Sequence, residues 1–177
     1  MVTRRQSREW ALQMLVQFDL NPPEAVDAAI AAFWEQQVGL EADSLAAESR
    51  EARVIFTSND PRELASLATA REFAEVRVRG VWAERAALDA ALEPCLENWS
   101  LYRLGTVERA VLRLGAWELR NCPDIPTPIV VNEAVDLAKW FSESKSGRFV
   151  NGVLDKFAKV ARTARKQEIP EEETFTP

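Results

Sequence analysis

The stretch TVERAVLRLGAWELR, residues 106–120, limits the fold more than any other part of the chain. At 100° per residue its apolar positions, Val107, Val111, Leu112, Leu114, Trp117 and Leu119, surround most of a helical wheel. Only Arg109, Arg113 and Arg120 form a narrow polar stripe. A helix apolar nearly all round is a central, buried helix. Other elements must therefore cover it on most sides.

The rest of the sequence reads as helices able to do so. Thr3 and Gln6 have capping-box spacing. Trp10, Ala11, Met14, Leu15 and Phe18 then fall on one apolar arc, predicting a helix to about Phe18. Asn21 before Pro22-Pro23 starts a second helix, ending near Gly39. Asp60-Pro61-Arg62-Glu63 supplies a cap, a proline at the first helical position and an early acid. The helix it opens is expected to reach Gly80–Trp82, with a separate helix over 84–97 whose end Pro94 disturbs. NCPDIPTP reads as a rigid connector. Pro128 opens a further helix whose apolar arc is Val130, Val131, Ala134, Val135, Leu137, Ala138 and Phe141, and which leaves Ile129 and Trp140 on its polar side. No segment alternates as a strand would. Fold class is therefore all-α.

Chemistry is limited by what is missing. The chain has no histidine. That removes the commonest general base, the usual Ser-His and Cys-His pairs, and most zinc sites. No Gly-rich phosphate loop appears. No paired-carboxylate signature rises above a background of 28 acidic residues. The expectation is a protein that is not an enzyme and uses no cofactor and no metal. Cys95 and Cys122 form neither a CxxC pair nor a disulfide framework and each reads as a buried structural thiol, which fits a reducing cytosol. No apolar run approaches the ~18 residues of a membrane span. The charged start MVTRRQSREW lacks the apolar core of a signal peptide.

Net charge is −6, which argues against a general polyanion binder. Its distribution is uneven. Residues 19–75 hold 12 acids and 4 arginines, whereas residues 139–166 hold 8 bases and 2 acids. Arg4, Arg5 and Arg8 form a further basic cluster. Cations at a helix N-terminus oppose the helix dipole, so this cluster gains nothing for stability. Such asymmetry predicts a local basic face on an acidic body.

GRFVNGVLDKF, residues 147–157, raises a conflict. Asn-Gly is a strong hairpin signal, yet neither flank alternates. With Ser146 as N-cap, Phe149, Val150, Val153, Leu154, Phe157, Val160 and Ala161 fall on one helical arc. Arg148, Gly152, Lys156 and Lys159 form a stripe beside it. Asn151-Gly152 thus belongs inside the first turns of the last helix. Glycine there costs roughly 1 kcal/mol against alanine. Close packing against a neighbouring helix is one reason to keep it, and the spacing favours that reason. The other is that bare backbone between Arg148 and Lys156 lets a phosphate chain approach. Phe149, at the border of stripe and arc, is either a core residue or a stacking platform. A helix start, flanking cations and a border aromatic are parts that a single-stranded RNA site uses.

RRQSREWALQML, ENWSLYRLGTVERAVLRLGAWEL and DIPTPIVVNEAVDLAKWFSESKSGRFVNGVLDKFAK, in this order and spacing, resemble the NusB family of bacterial antitermination factors. Residues about 20–70 match poorly. The resemblance implies two small helical bundles packed together, about seven helices in all. We place the N-terminal subdomain at 1–82, with an acidic insertion around 40–59. The C-terminal subdomain takes 83–165, and 166–177 form a disordered acidic tail. The resemblance also implies binding of boxA single-stranded RNA in nascent ribosomal transcripts, together with the ribosomal protein NusE. Other Nus factors and RNA polymerase complete the assembly, and a homodimer is a further possibility. The family's RNA-binding positions correspond here to Arg4, Arg5 and Arg8 and to Arg148 and Phe149. Lys145, Gly152 and Lys156 join them by position. Where the family often has a tyrosine in the first helix, this chain has Val16, so no aromatic contact is expected there. Lys145 stands where the family usually has an acidic or polar residue. Glu108 is the implied contact to the protein partner. Trp140 either belongs to that surface or packs between the bundles, the latter being favoured.

Two other readings compete. One is an RNA-positioning domain of the kind fused to ribosomal RNA methyltransferases. It needs a catalytic domain with an S-adenosylmethionine loop, and no such motif follows residue 165. The other is a structural helical dimer in which the basic stripe merely balances the acidic body.

Overall fold

In the computed structural model, residues 2–43, 60–97, 99–142 and 145–168 are described. The expectations for residues 44–59 and for 169–177 lie outside them. Six α-helices make up the described residues: α1 (Arg4–Leu20), α2 (Val26–Asp43), α3 (Pro61–Leu92), α4 (Thr106–Asn121), α5 (Thr127–Phe141) and α6 (Ser146–Glu168). Short 3-10 turns occupy Glu93–Cys95 and Leu101–Arg103. No strand occurs among the described residues.

The caps follow the sequence. Thr3 Oγ1 accepts from the Gln6 N–H at 3.1 Å, and Asp60 Oδ1 accepts from the Arg62 N–H at 2.9 Å. Four boundaries differ. The second helix begins at Val26, not directly after Asn21, because each proline disfavours helical backbone in the residue before it, here Asn21 and Pro22. The expected pair of helices over 60–97 is one helix to Leu92, uninterrupted at Gly80. One glycine costs a helix about 1 kcal/mol. Val78, Val81, Leu88 and Leu92, all fully buried, continue one inward face across it, and burying such side chains contributes about 1.5–3 kcal/mol each. α2 runs past Gly39 to Asp43, and α6 runs to Glu168, into the expected tail.

The chain divides into two compact units, Met1–Arg85 and Ala86–Pro177, so the boundary falls within α3. In the first unit, Trp10 of α1 meets Trp34 of α2 edge to face, with centroids 5.3 Å apart. Phe18 meets Trp82 of α3 in the same way at 5.4 Å. Trp34 Nε1 donates to Glu75 at 2.9 Å, joining α2 to α3. The expected α1 arc, Trp10, Ala11, Met14, Leu15 and Phe18, is wholly buried.

In the second unit α4 is central, as its wheel predicts. Every residue from Ala110 to Glu118 is buried. This includes Arg113, which the wheel assigns to a polar stripe. Its guanidinium takes the two oxygens of Asp89 at 2.7 and 2.8 Å, both side chains being almost inaccessible. A buried guanidinium needs such a partner. α5 and α6 pack on α4 and on each other. The glycine at which α4 meets α6 closely is Gly115, not Gly152. A Cβ at Gly115 would lie 2.7 Å from Leu154 Cδ1 of α6.

Candidate nucleic-acid interface

The Asn151-Gly152 pair lies inside α6, on its exposed side. Asn151 Nδ2 donates to Asp155, four residues on, at 2.9 Å. A Cβ added at Gly152 would meet nothing within 4 Å. Close packing is therefore not what keeps glycine there, which corrects the reading that the spacing favours. The backbone at 152 is simply open.

Two hollows flank this turn of α6, and Arg148 lines both. The larger, about 740 Å³, lies between α5 and α6 and is lined by Val135, Lys139, Lys145, Gly147, Arg148 and Asn151. Three of those six are cations, and none is an acid. Gly147 explains part of the placement. It is buried beneath Lys139, and a Cβ there would come within 2.9 Å of the Lys139 methylenes. The lysine stem thus lies along the start of α6. Lys139 Nζ is 3.9 Å from Asp136, whereas Lys145 and Arg148 are exposed and make no ion pair among the described residues.

The smaller hollow, about 260 Å³, is bordered by Glu97, Trp99, Arg148, Phe149, Gly152 and Lys156. Phe149 is half-buried, so it is neither fully core nor fully platform. Lys156 Nζ pairs with Glu97, which ties α6 to the segment after the first 3-10 turn. The Lys156 ammonium holds the Glu97 carboxyl below the ordinary range for its type. Cys95 lies under this hollow, buried, and burial pushes its thiol up. Cys122, expected to be buried as well, is only half-buried.

Glu108 connects the start of α6 to the rest of the unit. Its Oε1 accepts from Ser142, the C-cap of α5, and from Ser146, the first residue of α6, the latter at 2.8 Å. The two serine oxygens are 3.2 Å apart. Burial alone would raise this carboxyl, but the Ser142 and Ser146 hydrogen bonds outweigh it and the net shift is downward. Glu108 thus fastens both ends of the segment that carries Lys145. Trp140 is 74% exposed and takes no part in the buried core of its own unit.

In the first unit the N-terminal arginines gather on one ring. The guanidinium carbons of Arg4 and Arg8 lie 4.4 and 5.3 Å from the Phe73 centroid. Arg77 lies on the same ring at 3.1 Å and donates to the Phe73 carbonyl. Arg4 is exposed, Arg5 pairs with Glu9 at 3.4 Å, and Arg8 is only 4% exposed. Arg8 is thus held in the α1–α3 packing, and Arg4 presents the cation most open to solvent.

Sequence reasoning missed Lys139, Asn151 and Trp99 as hollow-lining residues. Lys139 and Asn151 carry the basic and polar signals of their segments, but only helix pairing shows that they face one hollow. Trp99 lies between helices, where no periodicity applies.

The NusB family profile matches residues 5–159. Transcription antitermination protein NusB of Sorangium cellulosum (strain So ce56) is 37% identical over 158 residues, covering 89% of this chain and 93% of that protein. Among solved structures, T. maritima NusB is similar with a TM-score of 0.67 and 28% identity, covering 95% of this chain and 99% of the other. A crystal structure of antitermination factors NusB and NusE in complex with dsRNA contains a chain with TM-score 0.63 and 28% identity. There the match covers 89% of this chain and 96% of that one.

Proposed function

Since the chain belongs to the NusB family, we propose that it is a non-catalytic RNA-binding adaptor of the cytoplasm. In this reading it holds boxA-type RNA of a nascent ribosomal transcript together with NusE. It then joins other Nus factors on elongating RNA polymerase. The observation that carries the reading is the pair of hollows meeting at Arg148, one lined by Lys139, Lys145 and Arg148, the other bordered by Phe149 and bare backbone at Gly152.

An unpaired strand suits this geometry better than a duplex. A phosphate needs only cations, whereas a base can reach an aromatic face only when it is unstacked. The similar NusB–NusE structure was solved with dsRNA, so duplex RNA is the natural competitor in a test. In our reading Arg4 and Arg5 add phosphate contacts from the first unit, with Arg8 holding α1 in place. Lys156 serves from within its pair with Glu97. The exposed Trp140, with Ile129 at 49% exposure on the same side of α5, supplies the protein-partner surface.

The test is a titration of the full chain with boxA-like single-stranded RNA, a scrambled strand and a duplex, with and without NusE. The boxA strand should bind best, and better still with NusE. Arg148→Ala and Phe149→Ala should weaken RNA binding, and Trp140→Ala should weaken only the gain from NusE. Binding indifferent to salt, to sequence and to these substitutions would replace this reading with the structural dimer.

A further inference from the structure

The two hollows beside Arg148 differ in chemistry in a way that assigns different parts of a nucleotide to each. The larger presents three cations and no carboxylate among its described lining residues. The smaller has a carboxylate at its rim, Glu97, whose side chain is 78% exposed. An ionised carboxylate repels phosphate, and it accepts hydrogen bonds from amino groups. The smaller hollow also offers an indole. Trp99 is 55% exposed, a large apolar surface open to solvent. The Phe149 ring and the open backbone of Gly152 line the same hollow, and a Cβ at Gly152 would meet no neighbour within 4 Å.

Resting on the RNA-binding reading above, we propose that the hollow between Trp99, Phe149 and Gly152 is a base-binding subsite: it takes one unpaired base, stacked on Trp99, while that nucleotide's phosphates lie on Lys139, Lys145 and Arg148. Glu97 then sets the preference. Its carboxylate accepts from the exocyclic amino group of adenine, cytosine or guanine, and uracil has none to give. The pair with Lys156 does not prevent this, because a carboxylate accepts from several donors. Arg148 lies where base and phosphate meet.

The test uses the full chain, three homopolymer probes (oligoadenylate, oligocytidylate and oligouridylate) and a salt series. Wild type should prefer oligoadenylate and oligocytidylate to oligouridylate. Trp99→Leu keeps an apolar side chain but removes the ring, and should lose about tenfold in affinity with the slope of log affinity against log salt unchanged. Trp99→Phe should retain most of the binding, which separates stacking from a fold defect. Lys145→Ala should instead make the slope shallower by about 0.7. Glu97→Ala should level the three probes. The subsite is overturned if Trp99→Leu binds like wild type, or if its loss comes with the shallower slope of the lysine variant. A wild-type chain that binds none of the probes, nor boxA-like RNA, overturns the RNA-binding reading itself.

Discussion

Replacing Gly152 by alanine should make this protein more stable and a poorer RNA binder. Glycine inside a helix costs about 1 kcal/mol relative to alanine, through backbone entropy in the unfolded chain. Gly152 is the seventh residue of α6, and an added Cβ would meet nothing within 4 Å. The gain should therefore be nearly complete, about 0.4–1 kcal/mol. For a chain of this size that raises the thermal midpoint by about 2–4 °C per kcal/mol. Gly115→Ala is the internal control. Its Cβ would fall 2.7 and 3.2 Å from the two Leu154 methyls, and Leu154 is fully buried, so its methyls would have to shift within the core. The same propensity gain is then opposed by overpacking of about 1–3 kcal/mol, so this variant should melt lower. Circular dichroism melts of both variants give the stability result. A fluorescence titration with boxA-like RNA gives the binding result, where Gly152→Ala should lose several-fold because the methyl enters the space left for the ligand. A lower midpoint for Gly152→Ala would refute the assignment of that residue to open surface. A higher midpoint with undiminished RNA binding would show that nothing approaches the backbone there.

Glu108 should make stability depend on pH. Its folded carboxyl titrates below the ordinary value of 4.5, so its contribution is complete above that value and is lost as pH falls through the folded one. Urea unfolding of Glu108→Ala should show a deficit of about 1–3 kcal/mol at neutral pH, narrowing as pH drops through the carboxylate range; a deficit constant with pH would contradict the serine hydrogen bonds. Asp89→Ala leaves Arg113 buried without this carboxylate and should cost about 3–5 kcal/mol in the same assay. Replacing both residues with apolar side chains should recover most of that loss.

The all-helical class was legible because its strongest signal, the all-round apolar surface of residues 106–120, is a property of one local segment. Its burial from Ala110 to Glu118 follows directly. Partners separated along the chain were not legible. Nothing at Arg113 announces Asp89, 24 residues earlier, so a helical wheel can only read that arginine as polar surface. Gly115 and Gly152 look alike in sequence, and only the facing Leu154 distinguishes a packing glycine from an open one. Arg148 and Phe149 were found because stripe and arc meet on one helix. Lys139 faces the same hollow from α5, and Trp99 borders its neighbour from a connector. The break expected near residue 83 failed for another reason: a weak local preference at Gly80 is overridden by the buried residues on either side.

An acidic protein can hold RNA at such a site because charge acts locally. At physiological salt the screening length is about 8 Å, so acids elsewhere on the surface hardly weaken the field inside the hollow. The same screening keeps the site weak. Lys139 and Lys156 each have a carboxylate nearby, and Lys145 and Arg148 make no ion pair among the described residues. If each cation meets one phosphate, two to four contacts give a salt slope of about −1.4 to −2.8 at roughly −0.7 per contact. Electrostatics of that size cannot by itself select one transcript among many, because every strand offers the same phosphates. In the proposed reading, selection comes from what differs between strands, the bases, and from the second protein. An open glycine, two aromatic rings and an exposed tryptophan on another helix face suit that division of labour better than additional lysines would.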